Sequence, residues 1–66
     1  MEIYLERENK TIEFNIETPI SCKAVLNQLD ISLESVILLK NDEICLEDEL
    51  VSQKDSLKIL SVVSGG

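Results

Sequence analysis

The chain has 66 residues, of which 44% are hydrophobic and 29% charged, a composition typical of one small folded domain rather than of a disordered segment. Thirteen acidic against six basic residues give a formal net charge of −7, which disfavours direct binding to nucleic acid or to an anionic membrane surface. Tyr4 and Phe14 are the only aromatic residues, so we expect an aliphatic core and little room for a catalytic cleft.

The chain has two cysteines, Cys22 and Cys45, and no histidine, which excludes a four-ligand zinc site. Each cysteine lies in an apolar pattern, where a free cysteine behaves as a small buried hydrophobic residue. The sequence shows no signal peptide, long apolar span or lipidation motif, so we expect a monomer in the reducing cytoplasm.

Two segments near the start, 1–6 and 12–17, alternate apolar and polar residues with a period of two, the pattern of half-buried strands. Joined through Glu8-Asn9-Lys10, they predict a β-hairpin. One face of this hairpin is expected to lie in the core, and it carries Met1, Ile3, Leu5, Ile12, Phe14 and Ile16.

A helix is predicted over 22–29, with Ser21 as its N-cap. Cys22, Val25, Leu26 and Leu29 are spaced as one face of a helix, and this apolar stripe should lie against the sheet. The segment 30–35 is the predicted return loop, with its apolar residues beneath it.

Three further strands are predicted at 36–40, 43–46 and 56–63, with a turn at Asn41-Asp42. The acidic stretch 47–49 has no ligand-like spacing, so a solvated loop is expected there rather than a metal site. The element order indicates an α+β fold of the β-grasp (ubiquitin-like) type. This architecture has a mixed four- to five-stranded sheet with one packed helix, and its first and last strands lie side by side.

The only glycines are Gly65 and Gly66, the last two residues of the sequence. Glycine has no Cβ, so a terminal pair can pass through a channel too narrow for side chains. We therefore divide the chain into a β-grasp domain, 1–63, and a flexible tail, 64–66. The alternative for this feature is a frayed end without function.

The ending DSLKILSVVSGG, residues 55–66, resembles that of the small sulfur-carrier proteins of the thiamin (ThiS) and molybdopterin (MoaD) pathways and of the related archaeal ubiquitin-like modifiers. The capped helix at 21–30 and the strand-Asn-turn at 39–44 are also similar to those of the thiamin-type carriers. Two departures are Gln53-Lys54-Asp55 in place of the usual Asp-Gly-Asp, and a short 45–53 segment that looks closer to the archaeal modifiers.

The resemblance implies a carrier that is acted on by other proteins and is not itself an enzyme. A ubiquitin-activating-type adenylating partner would use ATP on the carboxylate of Gly66, and the chain itself would bind no cofactor. A sulfur donor would then form a thiocarboxylate. A sulfur-accepting synthase would use this sulfur in thiamin or molybdopterin biosynthesis or in tRNA thiolation.

Docking to the activating partner requires contacts beyond the tail residues Ser64 and Gly65. Alternate residues of a strand face opposite sides, and in the last strand the set that contains Lys58 is expected to face away from the helix. Leu60 and Val62 of this set, together with Leu39, are the docking candidates, although exposed leucines are also common without a function.

Three other functions remain open at this point. The chain could be a protein modifier joined through Gly66 to lysines, or a non-covalent interaction domain whose tail has no role. A redox or enzymatic role for the cysteines is the least favoured, although Cys22 lies at a predicted helix N-terminus, where a thiol pKa can be lowered.

Overall fold

The computed structural model describes residues 1–62, which form a five-stranded mixed sheet, a two-stranded sheet and one α-helix. In chain order the elements are β1 (Glu2–Leu5), β2 (Lys10–Glu13), β3 (Ile20–Ser21), α1 (Cys22–Gln28), β4 (Val36–Lys40), β5 (Glu43–Ile44), β6 (Leu50–Val51) and β7 (Ser56–Ser61). The main sheet has the order β2-β1-β7-β4-β5, and β3 pairs with β6 in the small sheet. Within residues 1–62, no helix is long and apolar enough to cross a membrane.

The first and last strands lie side by side at the centre of the main sheet. β1 and β7 are parallel, with Ile3 opposite Leu57, and β4 is antiparallel to β7, with Leu38 opposite Ile59. All four residues are 3% exposed or less, because they face the layer that contains α1. The β-grasp prediction is confirmed.

The core is almost entirely aliphatic, as expected. The hairpin face predicted from 1–6 and 12–17 does point inward, with Ile3 opposite Ile12. The helix stripe is also confirmed, although its last member, Leu29, is half-buried. The buried residues are Met1, Ile3, Leu5, Cys22, Val25, Leu26, Leu38, Cys45, Val51, Leu57 and Ile59.

Element boundaries differ from the predictions by a few residues. A 3-10 turn at Glu6–Glu8 shortens the hairpin, and Asn9 after it takes a left-handed conformation with φ of 50°. The last strand ends at Ser61. The predicted boundary between 1–63 and 64–66 lies outside the described residues and stays a prediction.

The small sheet of β3 and β6 was not predicted, because strands of two residues are too short to show a period-two pattern. It lies at the start of α1. There the Ser21 hydroxyl accepts a hydrogen bond from the Ala24 amide at 3.1 Å, which confirms Ser21 as the N-cap. The Cys22 and Lys23 amides donate to the carbonyls of Glu49 and Glu47 at 2.9 and 3.0 Å, so the acidic turn satisfies backbone donors that a helix start leaves unpaired.

The side chains of Cys22 and Cys45, which were expected as separate buried residues, meet in the core with their sulfur atoms in contact. Both side chains are buried, as expected. They meet because Cys45, whose amide donates to the Leu38 carbonyl at 2.9 Å, enters the core beneath the start of α1. A sulfur buried in this way has no exposed thiolate, so the structure does not favour a reactive role for Cys22.

Candidate functional site

The base of the tail is held by two hydrogen bonds in which its backbone amides are the donors. The Ser61 amide donates to Oε1 of Glu6 at 3.0 Å, and the Val62 amide donates to the Ser35 carbonyl at 2.9 Å. The chain is therefore anchored up to residue 62. Val63, Ser64, Gly65 and Gly66 lie outside the described residues.

The face of the main sheet opposite α1 carries a group of uncovered aliphatic side chains, which we name the outer apolar face. Ile44 is 72% exposed, Ile37 46% and Val62 45%, whereas Leu39 and Leu60 are half-buried. Exposed aliphatic groups this close together are more typical of an interaction surface than of ordinary monomer surface. The outer apolar face consists of Ile37, Leu39, Ile44, Leu60 and Val62.

Strand register brings these residues together. Leu60 lies opposite Ile37 across β7 and β4, and Leu39 lies opposite Ile44 across β4 and β5. Directly opposite residues point to the same face with their Cβ atoms about 5 Å apart. Val62 follows Leu60 by two residues, so the outer apolar face continues to the base of the tail.

The other half of the same face is polar. On β1 and β2 it presents Glu2, Tyr4, Thr11 and Glu13, paired in register. Lys58 lies at the border with the apolar half, and its ammonium group is 3.0 Å from a carboxylate oxygen of Asp42. A partner that covers the face would therefore contact an apolar half, which includes Val62 at the tail base, and a polar half on β1 and β2.

The two turns at the other end of β4 and β7 are linked through Asn41 and Asp55. The Asn41 amide group donates to Oδ1 of Asp55 at 3.1 Å, and its carbonyl oxygen accepts from the Ser56 amide at 3.1 Å. Oδ2 of Asp55 accepts from the Ser52 amide at 2.8 Å. These hydrogen bonds, chiefly the one from the Ser52 backbone, lower the pKa of Asp55 below its ordinary value of 3.8. The Asp-led turn thus fixes the start of β7.

A groove of about 440 Å³ lies on the helix side of the tail base. Its apolar walls come from Leu5, Ile31, Val36, Ile59 and Val62, and Arg7 and Glu8 contribute charged atoms to the lining. Val62 at the tail base therefore borders both this groove and the outer apolar face. The groove is open, and among its lining residues the only ionisable side chains are those of Arg7 and Glu8. It therefore offers room for a partner's side chain beside the tail.

Comparison with known proteins identifies the family. The sequence model of the ThiS family matches residues 3–66, nearly the whole chain including Gly65 and Gly66. The chain belongs to the ThiS family. It is also similar to the sulfur carrier protein TtuB of Thermus thermophilus, with 30% identity over 59 residues that cover 89% of this chain and 88% of the relative. Both findings support a sulfur-carrier role, in which a ThiS protein is a substrate of other enzymes rather than an enzyme.

The structure places the three predicted docking residues of this ThiS protein, Leu39, Leu60 and Val62, together on the outer apolar face. Their role in docking stays a prediction. Sequence reasoning missed Ile37 and Ile44, which belong to the same surface. The signal was present in the continuous apolar run of 36–40, since such a run implies apolar side chains on both faces of its strand.

Proposed function

We propose that this ThiS-family protein carries sulfur as a thiocarboxylate on Gly66. A ubiquitin-activating-type enzyme adenylates the Gly66 carboxylate with ATP and releases pyrophosphate. A sulfur donor then displaces AMP, and the resulting thiocarboxylate delivers sulfur to an acceptor. The observation that carries the proposal is the family match through Gly66, on a fold in which the chain is anchored up to residue 62.

Activation is needed because a carboxylate oxygen is a poor leaving group, whereas AMP in an acyl-adenylate is a good one. With hydrosulfide as the donor, a carbon–sulfur bond forms while the carbon–oxygen bond to AMP breaks, and the proton of hydrosulfide is released. The thiocarboxylate sulfur is a stronger nucleophile than the oxygen it replaces. The carrier supplies the reactive terminus, and the partner supplies the catalytic groups.

The anchored tail base supports a mechanism in which the carrier supplies only the terminus and the partner supplies the catalytic groups. The four residues from 63 to 66 reach at most about 14 Å beyond residue 62 when fully extended. The active site of the activating enzyme must therefore lie close to the tail base, so the two proteins must also make contact there. The outer apolar face continues to Val62, and we propose it as this contact surface.

Apolar contacts suit the docking step because the tail loses conformational entropy when it becomes ordered in the partner's active site. Burial of aliphatic side chains offsets this loss at about 25 cal/mol per Å². We further propose that these events take place in the cytoplasm. The acceptor, whether a thiamin or molybdopterin precursor or a tRNA, is then selected by the synthase.

Intact-protein mass spectrometry tests the proposal directly. The full chain is incubated with ATP, inorganic sulfide and the activating enzyme from the same organism. The expected result is a gain of about 16 daltons, the difference between a sulfur and an oxygen atom, which is lost when sulfide is omitted. A chain ending at Gly65 is the matched control, and it is expected to gain no mass.

Other outcomes of this experiment are decisive. Heavier species in which the chain is linked to lysines, without the gain of about 16 daltons, would show that the protein is a protein modifier rather than a sulfur carrier. No product at all, with an enzyme that is active on another carrier, would overturn the proposal and favour a non-covalent interaction domain.

A further inference from the structure

A second apolar feature lies outside the outer apolar face, in the turn between β5 and β6. Leu46 and Leu50 are 67% and 59% exposed. The Glu49 amide donates to the Leu46 carbonyl at 3.0 Å, which closes a turn and brings the segments on either side of it together. Leu50 then pairs with Ser21 in the small sheet, so this feature is fastened to the start of α1.

The turn is held in place by contacts on each side. Its Glu47 and Glu49 carbonyls accept hydrogen bonds from the first two amides of α1. The Lys40 ammonium group donates to the Leu50 carbonyl at 3.3 Å and lies 3.4 Å from a Glu49 carboxylate oxygen. A surface already fixed in this way loses little conformational entropy on binding.

The charge around the two leucines is not balanced. Lys40 offsets Glu49, but within residues 1–62 neither Glu47 nor Asp48 takes part in an ion pair. Both acidic residues are exposed and lie in sequence between the leucines. We name the surface formed by Leu46, Glu47, Asp48 and Leu50 the edge patch.

We infer that the edge patch is a docking surface for a protein partner with an apolar surface bordered by lysine or arginine side chains. The two exposed leucines match the apolar surface, and the unpaired carboxylates of Glu47 and Asp48 match its border. A second copy of this chain is a poor occupant, because each copy carries a net charge of −7 and the same acidic residues would face each other. The charge excludes nucleic acid for the same reason.

The edge patch and the tail base contact different ends of α1. The edge patch is bound to the first residues of the helix, whereas Val62 is bound to Ser35, in the segment that follows it. A seven-residue helix is about 10 Å long. The edge patch and the tail base therefore lie at opposite ends of α1, and the inference does not depend on the chemistry proposed for Gly66.

The test is a titration of the ¹⁵N-labelled full chain with a short amphipathic peptide that has leucines on one face and lysines and arginines elsewhere. The expected result is chemical-shift change centred on residues 46–50, weakened by added salt. A peptide of equal charge with its leucines replaced by serine should bind about tenfold more weakly, because it loses the apolar contacts. A tenfold change in Kd corresponds to about 1.4 kcal/mol of binding free energy. Equal binding of the two peptides would overturn the inference.

Variants locate the binding. L46S/L50S and E47K/D48K should each weaken peptide binding by about tenfold or more, a loss typical of central interface residues. E17K/E34K makes the same charge change at exposed acidic residues elsewhere and should have a much smaller effect. Equal losses in the two charge variants, or shift changes on the outer apolar face instead, would contradict a specific edge patch.

A second measurement separates the edge patch from the activating interface. L46S/L50S should retain catalytic efficiency in adenylation by the activating enzyme within about twofold, which corresponds to roughly 0.4 kcal/mol. If L46S/L50S lost as much catalytic efficiency as a variant of the outer apolar face, the edge patch would be part of the activating interface, and the inference would be overturned. If no variant and no wild-type chain is adenylated, the proposed function fails, and the peptide titration alone decides on the edge patch.

Discussion

The strands β4 and β7 carry aliphatic residues on both of their faces, but the exposure of these residues differs between the faces. On β7, Leu57 is 1% exposed beneath α1, whereas Leu60 lies half-buried on the other side of the strand. Ile37 and Leu38 are adjacent on β4, yet their exposures are 46% and 3%. The identity of an aliphatic side chain therefore does not show whether that residue stabilises the fold or remains available to a partner.

The difference has a simple physical origin. α1 covers one face of the sheet, and no second layer of the described residues covers the other. A core side chain contributes to folding because it leaves water when the chain folds. A side chain on the outer apolar face leaves water only when a partner binds, so its contribution is expected in binding.

The largest expected effect is on stability, from the inner face. Leu57→Ala should lower the free energy of unfolding by about 2–5 kcal/mol, because it leaves a cavity in the core. Leu60→Ala, the matched change on the same strand, should cost less than half as much. Urea denaturation followed by circular dichroism measures both.

A domain of this size has little stability to lose, so Leu57→Ala could fail to fold. Ile59→Val provides a milder version, with an expected loss of about 0.5–1.5 kcal/mol. Equal losses for Leu57→Ala and Leu60→Ala would contradict the distinction between the two faces.

The second effect is on activation, from the outer apolar face. Leu39→Ser and Leu60→Ser should each reduce the catalytic efficiency of adenylation by about tenfold, because each removes apolar contact with the activating enzyme. Pyrophosphate release is the measurement. Thr11→Ala, on the polar half of the same face, is the control and should change little. Unchanged rates in both serine variants would show that docking uses another surface.

A third effect concerns α1, the helix that covers the inner face of the sheet. Ser21→Ala removes the side-chain N-cap of α1 and should lower the free energy of unfolding by about 1 kcal/mol, while adenylation is unaffected. Ser32→Ala is a matched control, because Ser32 precedes a 3-10 turn without forming a side-chain cap. A loss of adenylation in Ser21→Ala at full stability would place α1 in the activating interface.

The smallest effect is pH-dependent and concerns the end of the sheet away from the tail. Native hydrogen bonds lower the pKa of Asp55 below 3.8, so folding favours its ionised form. Its contribution to stability is therefore fully present above the ordinary pKa and is lost as the pH falls through the lowered value. Asp55→Ala should be less stable than the wild type at pH 7, and the difference should shrink in acid.

Urea denaturation over a range of pH measures this difference. Asp48→Ala removes an exposed carboxylate from a different turn and serves as the control, with no comparable change. A difference between Asp55→Ala and the wild type that stays constant down to strongly acidic pH would contradict the role of the ionised carboxylate.

Much of this protein was determined by local sequence. The period-two pattern of 1–6, the stripe of the 22–29 segment and the Ser21 cap each depend on residues close in the chain, so the strands, the helix and its buried face were predicted. The outline of the β-grasp fold followed from element order. The choice of the Gly66 carboxylate as the candidate reactive group used only the position of the two glycines, and it stays a prediction.

Tertiary structure decided the relations between distant residues. Cys22 and Cys45 are 23 residues apart, and Asn41 and Asp55 are 14 apart, so no local pattern encodes their pairing. The same holds for the acidic turn that caps α1, and for Ile37 and Ile44, whose exposure depends on which face α1 covers. Periodicity shows that a strand has two faces, but only the packed chain determines which face is left to a partner.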